Sequence, residues 1–169
     1  MICYEKDFIL YQSIFRTNWG EDKAGIPPRI VDGVVGTANL FKDILDGEIV
    51  ATIICGDNYY AENMEECRQF ISKEVERIKP DLLMAGPAFN AERFGMACGD
   101  VCSFINEKYG IDTITGMYIE NPAVEIYKSN TYIVETSDSA ASMRKAVSKM
   151  SALANKILRK EEIGLPDEE

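Results

Sequence analysis

The chain has 169 residues, 46% of them hydrophobic and 27% charged, which suits one soluble globular domain that buries its own core. A net charge of −10 argues against a nucleic-acid partner, because no basic stripe is available to neutralise phosphates. The complete lack of histidine removes His-based triads, His metal sites and His acid–base catalysis, leaving proton chemistry to Asp, Glu, Lys, Tyr or Cys.

The N-terminal "MICYEKDFIL" has neither the basic region nor the cleavage site of a secretory signal, and the apolar runs that follow are strand-sized rather than membrane-sized. "FILYQSIF" (8–15) reads as the first strand. The polar stretch "RTNWGEDKAGIPPRIVDGVVG" (16–36) is long for a βα connection, a length that usually marks a lid or binding loop. "TANLFKDILD" (37–46) reads as a short helix, and "EIVATIICG" (48–56) is a continuous, β-branched apolar run of the kind buried on both faces of a sheet. Asn63, with Glu66 three residues on, has the spacing of a capping box. Behind it Met64, Cys67, Ile71, Val75 and Ile78 fall on one helical face, and Pro80 ends the pattern.

"DLLMAG" (81–86) is the third strand, and the helix after it turns Phe94, Ala97, Val101 and Ile105 to one side before Gly110 stops it. "DTITGMY" (112–118) is the fourth strand, Asn121-Pro122 a cap opening a short helix, and "TYIVET" (131–136) the fifth strand. Ser137 or Ser139 caps a last amphipathic helix facing the sheet with Met143, Val147, Met150, Ala154 and Ile157. Alternation of this kind predicts an α/β domain over residues 1–160: a three-layer, open parallel sheet of about five strands, in flavodoxin-like or Rossmann-like order. Residues 161–169 read as an acidic tail or the start of a linker.

Ligands of such sheets bind at the carboxyl ends of the strands. Four of those ends carry small residues beside polar ones: "CGDNYYAEN", "GPAFNAERFG", "GMYIENP" and "ETSDSAA". One such corner is ordinary turn and cap chemistry. Four together point to a pocket for a small polar molecule with a carboxylate, walled by Gly56, Asp57, Asn58, Tyr59, Phe89, Asn90, Arg93, Tyr118, Glu120, Asn121, Ser137 and Ser139. Arg93 is the cation that can fork onto a carboxylate, unless it is a surface residue bonded to Glu92 or Asp100. Asp57 and Glu120 are acid–base or amine-binding candidates, with helix-terminal acids as the bland alternative.

Five cysteines (3, 55, 67, 98 and 102) show no disulfide-framework spacing, and the cytoplasm is the expected compartment. Cys98 and Cys102 share the apolar stripe of their helix and read as packing thiols, as does Cys67. Cys55, closing a strand beside Gly56, is a weak catalytic candidate with no evident base nearby. No Cys-x-x-Cys pair, dinucleotide fingerprint, Walker loop or nucleophile elbow is written in the chain, so no metal and no resident cofactor is expected.

Several long blocks, "VATIICGDNYYAEN", "KPDLLMAGPAFNAERFGMACG", "TGMYIENPAVEIY" and "YIVETSDSAASMRKA", together resemble the N-terminal part of the selenoprotein B subunit of glycine, sarcosine and betaine reductases, to which the D-proline reductase selenoprotein is related. The resemblance runs from about "GEDKAGIPP" to "EEIGLP". It implies reductive cleavage of a C–N bond in a small amino acid or betaine, with other reductase subunits as partners, in anaerobic amino-acid fermentation. It also implies a selenocysteine that attacks the α-carbon in the full-length protein. That residue lies downstream of the matched region, so residues 1–169 alone are not expected to catalyse the reaction. A fragment, a chain ended at a UGA codon and a short paralogue all remain open, as does a homo-oligomer. The competing reading is a free-standing module that binds an amino acid or betaine without chemistry. Neither reading calls for nucleic acid or a membrane.

Overall fold

The computed structural model describes residues 7–12 and 25–165. Cys3, positions 13–15 of the first expected strand, residues 16–24 of the long polar stretch and residues 166–169 lie outside the described residues. The elements are β1 (Asp7–Gln12), β2 (Arg29–Asp32), α1 (Ala38–Phe41), β3 (Glu48–Ile54), α2 (Asp57–Glu62), α3 (Met64–Ile78), β4 (Leu82–Phe89), α4 (Glu92–Tyr109), β5 (Asp112–Tyr118), α5 (Ala123–Tyr127), β6 (Tyr132–Thr136) and α6 (Met143–Leu158). A single 3-10 turn, Ala140–Ser142, leads into α6.

All six strands form one sheet in the order β2-β3-β1-β4-β5-β6. Five are mutually parallel, and β2 is antiparallel on the edge beside β3. Taken in chain order, the parallel strands have the flavodoxin-like arrangement, in which the direction of winding reverses around the first strand. β4 shows why the central strands read as unbroken apolar runs: all eight of its residues are buried. Leu83 and Ala85 enter a core shared with α2, α3, α4 and α5, while Leu82 and Met84 enter a second core shared with α1 and α6. The sheet is therefore covered on both faces, as a parallel sheet requires.

Three local expectations need correction. Part of the long polar stretch is not loop: Arg29–Asp32 pairs with β3 from Arg29↔Ile54 to Asp32↔Ala51. Only Ile30 and Val31 carry strand propensity there, too short a signal to stand out, and the charged residues at either end are a usual way of blunting an edge. The segment after β3 holds an additional short helix, α2. Asn63 and Glu66 form no capping box, because α2 abuts α3 and uses both side chains. Asn63 Nδ2 donates to the Tyr59 carbonyl at 3.2 Å, and Glu66 accepts from the Tyr59 hydroxyl at 2.9 Å. Finally, β4 runs three residues beyond Gly86, with a cis Gly86–Pro87 peptide and a register shift against β5 between Ala85 and Phe89.

Helix α5 lies close against α4 because α4 presents glycines there. A Cβ added at Gly95 would collide with the Asn121 side chain, and one at Gly99 would collide with the Tyr127 ring. Substituting Gly99→Ala is expected to destabilise the domain by about 1–3 kcal/mol through overpacking, read as a lowered urea midpoint. An unchanged midpoint would mean that α5 does not rest against α4 at this position.

Candidate functional site

The helices that follow β3 and β4 flank the carboxyl end of β1, where the strand order reverses, and a cleft of about 450 Å³ opens between them. Asp57, Tyr60 and Met64 line one side, Glu92, Arg93 and Met96 the other, and Tyr127 of α5 closes the rear. Arg93 is exposed and its Nη1 donates to Asn58 Oδ1, so the β3 and β4 corners are joined across the mouth. Asp57 Oδ1 accepts from the Asn58 amide at 3.0 Å, which orders the same corner. Asp100, one partner weighed for Arg93, is taken by Arg68 instead.

Other candidates fall elsewhere. Gly56 is buried as the residue preceding α2, and its N–H already donates to the Ile26 carbonyl at 3.0 Å. Tyr59 points to Glu66. Phe89 is buried at φ +53°, an uncommon backbone for a bulky residue, and Asn90 is exposed on the turn after it. Asn121 is 1% exposed. Its Nδ2 donates to the carbonyls of Phe89 (3.0 Å) and Ala91 (3.3 Å), while its Oδ1 accepts from the Ala123 amide (3.1 Å). One side chain thus clasps the β4 corner to the start of α5. Glu120 is exposed on the turn just before it.

Tyr118 and Ser137 line a different cleft, of about 290 Å³, on the α6 side of the sheet with Lys145 and Lys149. Ser137 shares a hydrogen bond with Ser142, and Ser139 Oγ accepts from the Ala141 amide at 3.1 Å, which caps the 3-10 turn. Helix α6 itself starts after Ser142 with no side-chain cap, so neither Ser137 nor Ser139 caps it as expected. The four corners therefore divide between two clefts. Cys55 is fully buried, with its sulfur 3.8 Å from that of Cys67. Among the described residues no group of three or more His, Cys, Asp or Glu is placed to hold a metal ion, and no helix is long and apolar enough to cross a membrane.

The sequence reading missed the support beneath the cleft. Asp100 is 5% exposed within α4. It accepts from the Tyr60 hydroxyl and from both Nε (2.9 Å) and Nη2 of Arg68, whose guanidinium lies 5.1 Å from the Phe104 ring centroid. A lone acid inside "ACGDVC" was the available signal: a carboxylate on an apolar stripe must find partners. Burial, and then the Asp100 charge, push the Tyr60 phenol far above its ordinary value.

Removing the carboxylate with Asp100→Ala leaves Arg68 and Tyr60 without their acceptor and is expected to cost about 3 kcal/mol, measured by chemical denaturation. A loss below about 0.5 kcal/mol would return the cluster to the surface class of ion pair. Because the phenol pKa is raised on folding, its contribution is complete below the unfolded value near 10 and is lost as pH rises above it. Tyr60→Phe should flatten that alkaline loss of stability. An equally steep decline in the variant would assign it to other groups.

Residues 6–169 match the family model for glycine/sarcosine/betaine reductase selenoprotein B. The chain is 50% identical over 152 residues to a glycine reductase complex component B subunit gamma of Carboxydothermus hydrogenoformans, covering 89% of this chain and 35% of the relative. A sarcosine reductase complex component B subunit beta of Peptoclostridium acidaminophilum is 43% identical over the same shares. A betaine reductase complex component B subunit beta of that organism is 41% identical, over 97% of this chain and 38% of the relative. The chain thus spans a little over a third of the length of these relatives. No solved structure matches it. On the strength of a match that takes in nearly every residue, the chain belongs to the glycine/sarcosine/betaine reductase selenoprotein B family.

Proposed function

We propose that this chain is the α/β portion of a reductase component B subunit that supplies a wall of the amino-acid site, working in the cytoplasm with other reductase subunits. The substrate is glycine, sarcosine or betaine, or D-proline in the related enzyme, and the reaction is reductive cleavage of the C–N bond. The observation that carries the reading is Arg93, steadied by Asn58 at the mouth of a cleft that also presents Asp57 and Glu92. A guanidinium with one carboxylate across the cleft and another beside it matches the two ends of a zwitterion. Tyr127, Met64 and Met96 offer a ring and thioethers to N-methyl groups.

In this account the chain's residues bind and orient, and the nucleophile comes from outside residues 1–169. A selenolate is already a strong nucleophile near neutral pH, so the lack of histidine is no obstacle. Arg93 holds the carboxylate, and Asp57 with Glu92 holds the amine as it leaves. A free-standing binding module would use the same contacts without the chemistry.

Glycine, sarcosine, betaine or D-proline should shift amide signals of residues 56–59 and 89–93 in a two-dimensional NMR titration, with weaker effects at 118–121. Arg93→Ala should weaken binding by about 1.5–3 kcal/mol, the worth of a hydrogen bond to a charged group. Saturating ligand that moves none of these signals, or an Arg93→Ala variant with unchanged affinity, would overturn the assignment.

A further inference from the structure

Cys55 and Cys67 bracket the α2 wall of the cleft. Their sulfurs lie 3.8 Å apart, twelve residues distant in sequence, and both residues are fully buried. Four of the residues between them, Asp57, Tyr60, Ala61 and Met64, line the cleft. The Cys55 thiol also donates to the Gly56 carbonyl at 3.4 Å, on the peptide that starts α2. We propose that Cys55 and Cys67 form a reversible disulfide that pins the α2 wall of the cleft. Going from 3.8 Å to a bond of about 2 Å brings the two sulfurs less than about 2 Å closer.

Cys102 is placed differently: it is fully buried, its thiol donates to the Ile114 carbonyl at 3.8 Å, and burial raises its pKa. The hydrogen bond shared with Cys55 holds Cys67 below the usual thiol value. Among the described residues, the Ile26 carbonyl sits 4.0 Å from the Cys55 sulfur and accepts from the Gly56 amide at 3.0 Å, in a segment where Gly25 and Pro27 are exposed and neither Pro27 nor Pro28 has an N–H to donate. Local opening of that segment admits a small reagent without global unfolding.

The exchange balances with a small-molecule disulfide as oxidant. The Cys67 thiolate attacks one of its sulfurs, forming a mixed disulfide and releasing one thiolate. Cys55 then loses its proton and attacks the Cys67 sulfur, releasing the second. Two electrons pass from the cysteine pair to the reagent, and the two cysteine protons end on the released thiols. A dithiol reverses the sequence.

The test treats the reduced 169-residue chain with oxidised glutathione under conditions where its circular dichroism is unchanged. Intact mass should fall by two hydrogens. Cleavage after Glu62, Glu65 and Glu66, followed by non-reducing mass mapping, should show Cys55 joined to Cys67 before any other pair, and dithiothreitol should restore the thiols. Amide exchange of residues 57–62 should slow by about tenfold or more in the oxidised protein. Cys55→Ala and Cys67→Ala, each with native circular dichroism, should stop the loss of two hydrogens. A different pair, a glutathione adduct alone, no reaction, or oxidation only in step with unfolding would overturn the proposal. So would a bridge that leaves α2 exchange unchanged. The bridge bears on the proposed site, but mass reads it without ligand, so failure of the amino-acid titration and failure of the disulfide are separate results.

Discussion

A carboxylate in the middle of an apolar helix face cannot stay charged without partners, and the geometry of the cleft follows from how Asp100 meets that requirement. Its partners come from two other elements, Tyr60 on α2 and Arg68 on α3, so one buried acid ties three helices together. α2 has only six residues, too few to hold as an isolated helix, and is kept in place by this bond and by the packing of Tyr60. The two walls of the cleft are set by this arrangement. Arg93, on the first turn of α4, reaches Asn58 on α2 because both helices are anchored below by Asp100.

Asn121 does for the neighbouring corner what Asp100 does for the cleft floor, through main-chain groups instead of charges. Gly95 and Gly99 leave the space that lets this side chain and Tyr127 approach α4. The two devices together bring α2, α4 and α5 around a single opening at the topological switch point. The Tyr118–Ser137 cleft is left on the other face of the sheet, between β6 and α6.

The architecture was legible because its signals were long and redundant. β5 was readable to the residue, and the faces of α4 and α6 follow the 3.6-residue period over four turns or more. Short elements escaped: β2 rests on two β-branched residues, and α2 is a polar helix with only Tyr60 buried. At the site, the residue types were visible but their spatial grouping was not. Which face of the sheet each corner serves depends on helix placement, and that separates Arg93 from Ser137. Asn121 looked like a binding residue because caps and binding sites use the same side chains. Asp100, Tyr60 and Arg68 were hard to find because their pairing spans 32 to 40 residues, and no local pattern records such contacts.

The central claim is that the α2–α4 cleft, rather than the α6 cleft, receives a small zwitterion. A crystal structure of the chain grown with betaine tests it most directly. The account predicts ordered ligand with its carboxylate on Arg93 and its trimethylammonium among Asp57, Glu92 and the Tyr127 ring. Betaine ordered against Lys145 and Lys149 instead, or an unoccupied α2–α4 cleft at saturating ligand, would contradict it.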